Sequence, residues 1–176
     1  MDLYVALLRG INVGGARKVA MADLRDLFSR LGHADVQTYV QSGNVVFGTA
    51  RTPVASAIER AIAHDLGQEV TVLLRSSVEM AAIVAGNPFA DRADPKSLHA
   101  TLLVRAPERD RVAEVAARDF GDEELQVEGT TVYLHLPHGY GRTRLNNAFF
   151  ERRLAVPATT RNWRTVTTLV DMTRPS

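Results

Sequence analysis

The stretch LYVALLRGINVGGARKVAMADLRDLFSRL, residues 3–31, decides the fold. Its opening run, Leu3 to Leu8, is apolar on both faces of an extended chain, which predicts a central strand. Arg9 ends the run. Gly10, Gly14 and Gly15 punctuate the loop that follows, and Arg17 and Lys18 stand before a helix. Leu24, Leu27, Phe28 and Leu31 recur at i, i+3, i+4 and i+7, the stripe of a helix packed on a core. A strand, a permissive loop and a helix N-terminus form a geometry that can cradle an anion.

Outward from this stretch, Val36 to Val40 reads as a second strand, Gln41-Ser42-Gly43-Asn44 as a turn, and Val45 to Thr49 as the returning strand. Thr52 and Pro53 suit a helix start, with Ile58, Ala61, Ile62 and Leu66 on its buried face and Gly67 at its end. Glu69 to Leu74 is a fourth strand. The order βαββαβ is the split arrangement of ferredoxin-like folds. Ser76 or Ser77 then caps a linking helix through Val84. The turn-rich segment NPFADRADPK, residues 87–96, separates the halves. Beyond it come a strand over Leu98–Val104, a helix opened by Pro107, a hairpin at 125–136, and a helix near 145–154. Pro157 breaks that helix, and a final one runs from about Arg161 to Met172. The expected class is α+β: a ferredoxin-like half at 1–86, a connecting segment at 87–96, and a degenerate βαββαα half at 97–176, packed as one compact unit.

Composition narrows the function classes. At 176 residues and 45% hydrophobic, the chain can bury a core without staples. It has no Cys, which excludes disulfides, thiolate catalysis and cysteine metal sites. No basic segment precedes the first apolar run and no run approaches a membrane span, so a cytoplasmic location is expected. A net charge of +1 predicts no polyanion partner in bulk. The distribution is uneven: residues 106–130 hold eight acids against three arginines, and residues 140–176 hold seven arginines against Glu151 and Asp171. Solvated helix faces account for such runs as readily as a site does.

Right-handed crossovers in a βαββαβ unit make the first two strands parallel, with the third antiparallel between them. The loop after strand one and the turn after strand two then share one end of the sheet. That places Arg9, Asn12, Gly14, Gly15 and Lys18 beside Gln41, Ser42, Gly43 and Asn44. Arg142 and Arg144 flank another expected helix start, and Arg161 and Asn162 a third, where an anion would offset cations set against the helix dipole. The glycines match neither a dinucleotide fingerprint nor a phosphate-binding P-loop. Ser42 lacks the surroundings of a nucleophile, and the five histidines show no metal-ligand spacing beyond a weak His135-x-x-His138. No acid or base stands out, so no catalytic residue, metal or cofactor is assigned.

YVALLRGINVGG at 4–15, KVAMADL at 18–24, TYVQSGNVVF at 38–47, HGYGRTRL at 138–145 and PATTRNWRTV at 157–166 resemble, in order, the bacterial family called domain of unknown function sixteen ninety-seven. The resemblance implies two α/β subdomains of ferredoxin-like character and no particular reaction. Arg144 stands where that family usually carries Lys. The preferred function is binding of a small phosphate- or carboxylate-bearing ligand. One alternative is a non-catalytic scaffold or homo-oligomer. The other is RNA binding on a sheet face, where Tyr4 could stack a base although the third strand offers only Phe47. The oligomeric state is left open.

Overall fold

A computed structural model describes residues 1–12, 18–91 and 93–174. The chain divides into two compact units, Met1–Ala82 joined by the chain from Thr168, and Ile83–Thr167. Compared with 1–86 and 97–176, residues 83–96 group with the second unit and the chain from Thr168 with the first.

The first unit runs β1 (Asp2–Arg9), α1 (Met21–Arg30), β2 (Ala34–Tyr39), β3 (Asn44–Thr49), α2 (Ala55–Leu66) and β4 (Thr71–Ser76), followed by α3 (Ser77–Ala85). Its sheet has the order β2-β3-β1-β4, with every neighbouring pair antiparallel. One face carries Ala6, Leu8, Val45, Phe47 and Val72 against Leu24, Leu27 and Phe28 of α1 and Ile58 and Ile62 of α2. Alternate residues Val5, Leu7, Val46 and Leu73 are buried too, so both faces are covered, as the continuous apolar run of β1 predicts. Ser76 and Glu79 join β4 to α3 by a reciprocal capping box: the Ser76 hydroxyl accepts from the Glu79 N–H at 3.2 Å, and the Glu79 carboxylate accepts from the Ser76 N–H at 2.7 Å.

The second unit runs β5 (Leu98–Leu103), α4 (Arg109–Ala116), β6 (Glu124–Glu128), β7 (Thr131–His135), α5 (Asn147–Leu154) and β8 (Ala158–Asn162), and α6 (Trp163–Met172) follows. The antiparallel sheet order is β6-β7-β5-β8. Leu103, Val132, Leu134 and Ala158 meet Val115 of α4 and Phe150 and Leu154 of α5 in a separate core.

Three local expectations are corrected. The second unit is not βαββαα: residues 158–162 form a strand on β5, and the helix expected from Arg161 begins at Trp163. Thr159 and Thr160 are β-branched and suit a pleat, and the Asn162 carboxamide accepts from the Thr165 N–H at 2.8 Å, which starts the helix there. The second strand stops at Tyr39 rather than Val40, because Val40 adopts φ 50°, a left-handed conformation that ends pleating. Helix α2 starts at Ala55, beyond Thr52 and Pro53, with Val54 at its cap and no side-chain capping bond.

Candidate functional site

The first unit brings the loop after β1 and the β2–β3 turn to the same end of the sheet. Leu7 faces Asn44 across the ladder, and the Leu8 N–H donates to the Gly43 carbonyl at 2.8 Å. The two segments bind each other through their own polar groups. Asn12, at φ 56°, donates from its side-chain Nδ2 to the carbonyls of Val19 and Gln41, both at 3.2 Å. Its Oδ1 accepts from the Val19 N–H at 2.7 Å. The chain on both sides of the loop is thereby tied to the hairpin tip. Asn44 is fully buried and donates to the Tyr39 carbonyl and the Ser42 hydroxyl, both at 3.0 Å. The Asn12 and Asn44 carboxamides therefore hold the rim together. Gln41, Ser42 and Lys18 stay exposed, Gly43 is buried, and Arg9 is half-buried opposite Thr71. Lys18 lines a small cavity with Asp23 and Asp65, which dilutes the positive character of this end. Gly14, Gly15 and Arg17 lie outside the described residues.

In the second unit the expected residues part company. Arg142 ends a 3-10 turn, Tyr140–Arg142, and is exposed. Arg161 lies within β8 and is buried, its Nη1 donating to the Thr159 hydroxyl at 2.6 Å and the Thr160 carbonyl at 3.0 Å. Burial lowers its pKa to about 10. Asn162 spends its carboxamide oxygen on the cap of α6.

Arg144 has other company. It lines a cavity of 590 Å³ together with Arg118, Arg152 and Arg153. Arg118 follows the end of α4, Arg144 leads into α5, and the other two sit in the last turn of α5. Helix α5 is set by Asn146, whose Oδ1 accepts from the Phe149 N–H at 3.0 Å. It is held to the α4 region by Arg111 and Arg105, which donate to the carbonyls of Arg153 and Ala155 at 3.3 and 3.0 Å. Arg118, Arg144, Arg152 and Arg153 have no carboxylate partner among the described residues, and the buried Nε of Arg153 has no hydrogen-bond partner there. Among the described residues Asp119 is the one acid in the lining, with Oδ1 accepting from the Gly121 N–H at 2.8 Å. Phe120 and Phe149 complete the wall, edge to face with ring centres 5.7 Å apart. Sequence reading missed Arg118, Arg152 and Arg153. Arg152 and Arg153 were signalled only by the arginine excess after residue 140, and Arg118 lies in the acid-rich stretch 106–130; neither pattern carries information about convergence.

A half-buried polar chain also ties the 138–147 loop to β8. The Thr160 hydroxyl donates to Asn147 Oδ1 at 2.6 Å, so its 2.7 Å contact with Thr101 requires Thr101 to donate. The Asn147 N–H reaches the Tyr140 hydroxyl at 3.2 Å, and the Tyr140 ring stacks on His99 at 5.5 Å. His99 is buried with no partner for Nδ1 among the described residues. Burial holds its pKa below the ordinary imidazole value against a raising backbone hydrogen bond from Ser97. The folded state thus prefers neutral His99. The resulting stability is present above the unfolded pKa near 6.5 and is lost as pH falls through the lowered folded value. His99→Phe keeps a ring against Tyr140, and its urea midpoint should fall less between pH 7 and pH 5 than the wild type's; equal losses would refute this assignment. Among the described residues no group of His, Asp and Glu is arranged to hold a metal ion. His135 and His138 turn instead to separate carboxylates, Glu124 at 2.9 Å and Asp122 at 2.6 Å.

Fold and site define an α+β protein of two antiparallel four-stranded sheets whose clearest unbalanced feature is an arginine-lined cavity. The chain belongs to the family described as "Protein of unknown function (DUF1697)", whose model matches residues 1–133. No curated protein matches it. Among solved structures it is similar to the conserved bacterial protein SP0830 from Streptococcus pneumoniae, at 24% identity and a TM-score of 0.75, over 98% of this chain and 99% of that one. That likeness is one of fold. No helix among the described residues is long and apolar enough to cross a membrane.

Proposed function

We propose that this protein binds a small anionic ligand in the cavity between the end of α4 and helix α5. One observation carries the reading: Arg118, Arg144, Arg152 and Arg153 converge on 590 Å³ without a carboxylate partner among the described residues. Four like charges gathered on one cavity repel each other, and a bound anion turns that repulsion into charge-assisted hydrogen bonds. Guanidinium groups suit this task because their planar forks match carboxylate and phosphate oxygens. The same reading takes both units as ferredoxin-like, supported by their shared element order and by sheet orders in which the first strand lies between the third and the fourth.

The test is titration calorimetry at low salt with orthophosphate, pyrophosphate and citrate, on the wild type and on Arg118→Gln/Arg152→Gln. The wild type should bind at least one of the three. The double variant should bind it at least tenfold more weakly, since each charged hydrogen bond contributes about 1.5–3 kcal/mol. Its unfolding midpoint should hold or rise as repulsion is relieved. A wild type that binds none of these anions overturns the proposal.

A further inference from the structure

The cavity has room and chemistry for more than a bare anion. At 590 Å³ it lies within the range of small-molecule sites. Its wall joins two kinds of surface, the four guanidinium groups and the Phe120–Phe149 pair. Phe149 is buried, whereas Phe120 is half-exposed and can take a flat ring against it.

Asp119 sharpens the choice. One of its oxygens accepts from Gly121, and the other has no partner among the described residues. A carboxylate among arginines repels an inorganic anion. It helps only a ligand that also brings hydrogen-bond donors, such as sugar hydroxyls or an exocyclic amine. The four cations outnumber what a single carboxylate would balance, and a phosphate monoester carries about two negative charges near neutral pH.

Resting on the anion-binding reading above, we infer that the ligand of this cavity is a nucleoside phosphate. Its phosphate meets the arginines, its base lies on Phe120, and a hydroxyl or amine donates to Asp119.

The experiment is calorimetry on the full chain with AMP, GMP, ribose 5-phosphate, adenosine and orthophosphate. One nucleotide should bind at least tenfold tighter than ribose 5-phosphate, because a base stacked on an aromatic ring adds about that much. Phe120→Leu, which keeps apolar bulk, should remove this margin, so that the nucleotide and ribose 5-phosphate bind alike. Asp119→Asn should weaken the nucleotide yet strengthen orthophosphate, opposite signs that a general loss of structure cannot produce. Nucleotides that bind no tighter than orthophosphate or ribose 5-phosphate overturn the inference and leave the anion reading standing. A chain that binds none of these phosphates, and none of the anions above, overturns both.

Discussion

Gly43→Ala is expected to destabilise the first unit by about 3 kcal/mol, and Gly43→Val by more. Two separate terms add here. Gly43 sits at φ +75°, where any Cβ crowds the following carbonyl, at roughly 1–2 kcal/mol. An added Cβ would also stand 2.5 Å from Ile11 Cγ2 and 2.9 Å from Leu8 Cβ. Neither neighbour can retreat easily. Ile11 and Leu8 are core residues, and the Leu8 N–H is bonded to the Gly43 carbonyl. Overpacking of this kind costs roughly 1–3 kcal/mol. Gly32 provides the control: at φ +85° it has nothing within 4 Å of an added Cβ. Gly32→Ala should therefore show the backbone term alone, about 1 kcal/mol. Urea midpoints of the two variants against wild type decide the matter. Equal losses at the two glycines would show that the tip does not press on the loop after β1.

Arg161→Ala is expected to cost about 2–3 kcal/mol at pH 7, whereas Arg161→Met should lie within about 1 kcal/mol of wild type. The guanidinium is buried, and lowering its pKa to about 10 means that its charge is held at a cost of roughly 3 kcal/mol at neutral pH. Its hydrogen bonds to Thr159 and Thr160 offset part of that cost. Methionine removes charge and bonds together while filling the space, so the two changes largely cancel. Alanine also opens a cavity where the stem lay. The pH dependence has a definite sign. The folded state gives up the proton near pH 10 while the unfolded chain keeps it to higher pH. The unfolded state then binds more protons, so stability rises with pH above about 10. Wild type should gain on Arg161→Met over that window, and parallel pH profiles would contradict the assignment. Arg75 occupies the matching place in the first unit. It is buried, next to last in β4, and opposite Val5 of β1 as Arg161 is opposite Ala100 of β5.

Most elements were legible because their signals are local. Leu24, Leu27 and Phe28 of the expected stripe appear as the buried face of α1, whereas Leu31 falls at the cap past the helix end and is exposed; Gly67 ends α2 in a left-handed cap, at φ 65°. The hairpin expected at 125–136 pairs over 124–135 and turns at Gly129. The shared end of the first sheet was also legible, because strand order follows from crossover handedness. The helix start was placed at Arg161 rather than Trp163 because the strand at 158–162 is short and runs directly into α6. Nothing local reveals that Thr159 and Arg161 are paired with β5. Val40 was misread because a β-branched residue favours a strand, and only the turn geometry forces it to φ 50°.

The sequence by itself determined the class of most segments, with residues 158–162 the exception, and the antiparallel plan of the first sheet. Periodicity and turn chemistry act over a few residues, and handedness does the rest. The tertiary structure alone decided what the polar residues do. Asn12 and Asn44 spend their carboxamides on neighbouring backbone, Arg161 turns inward by the register of β8 on β5, and Arg118 meets Arg144, Arg152 and Arg153 only once α5 packs beside α4. A side chain's partners are set by strand register and helix packing, which join residues far apart in the chain, and no local pattern encodes such a meeting.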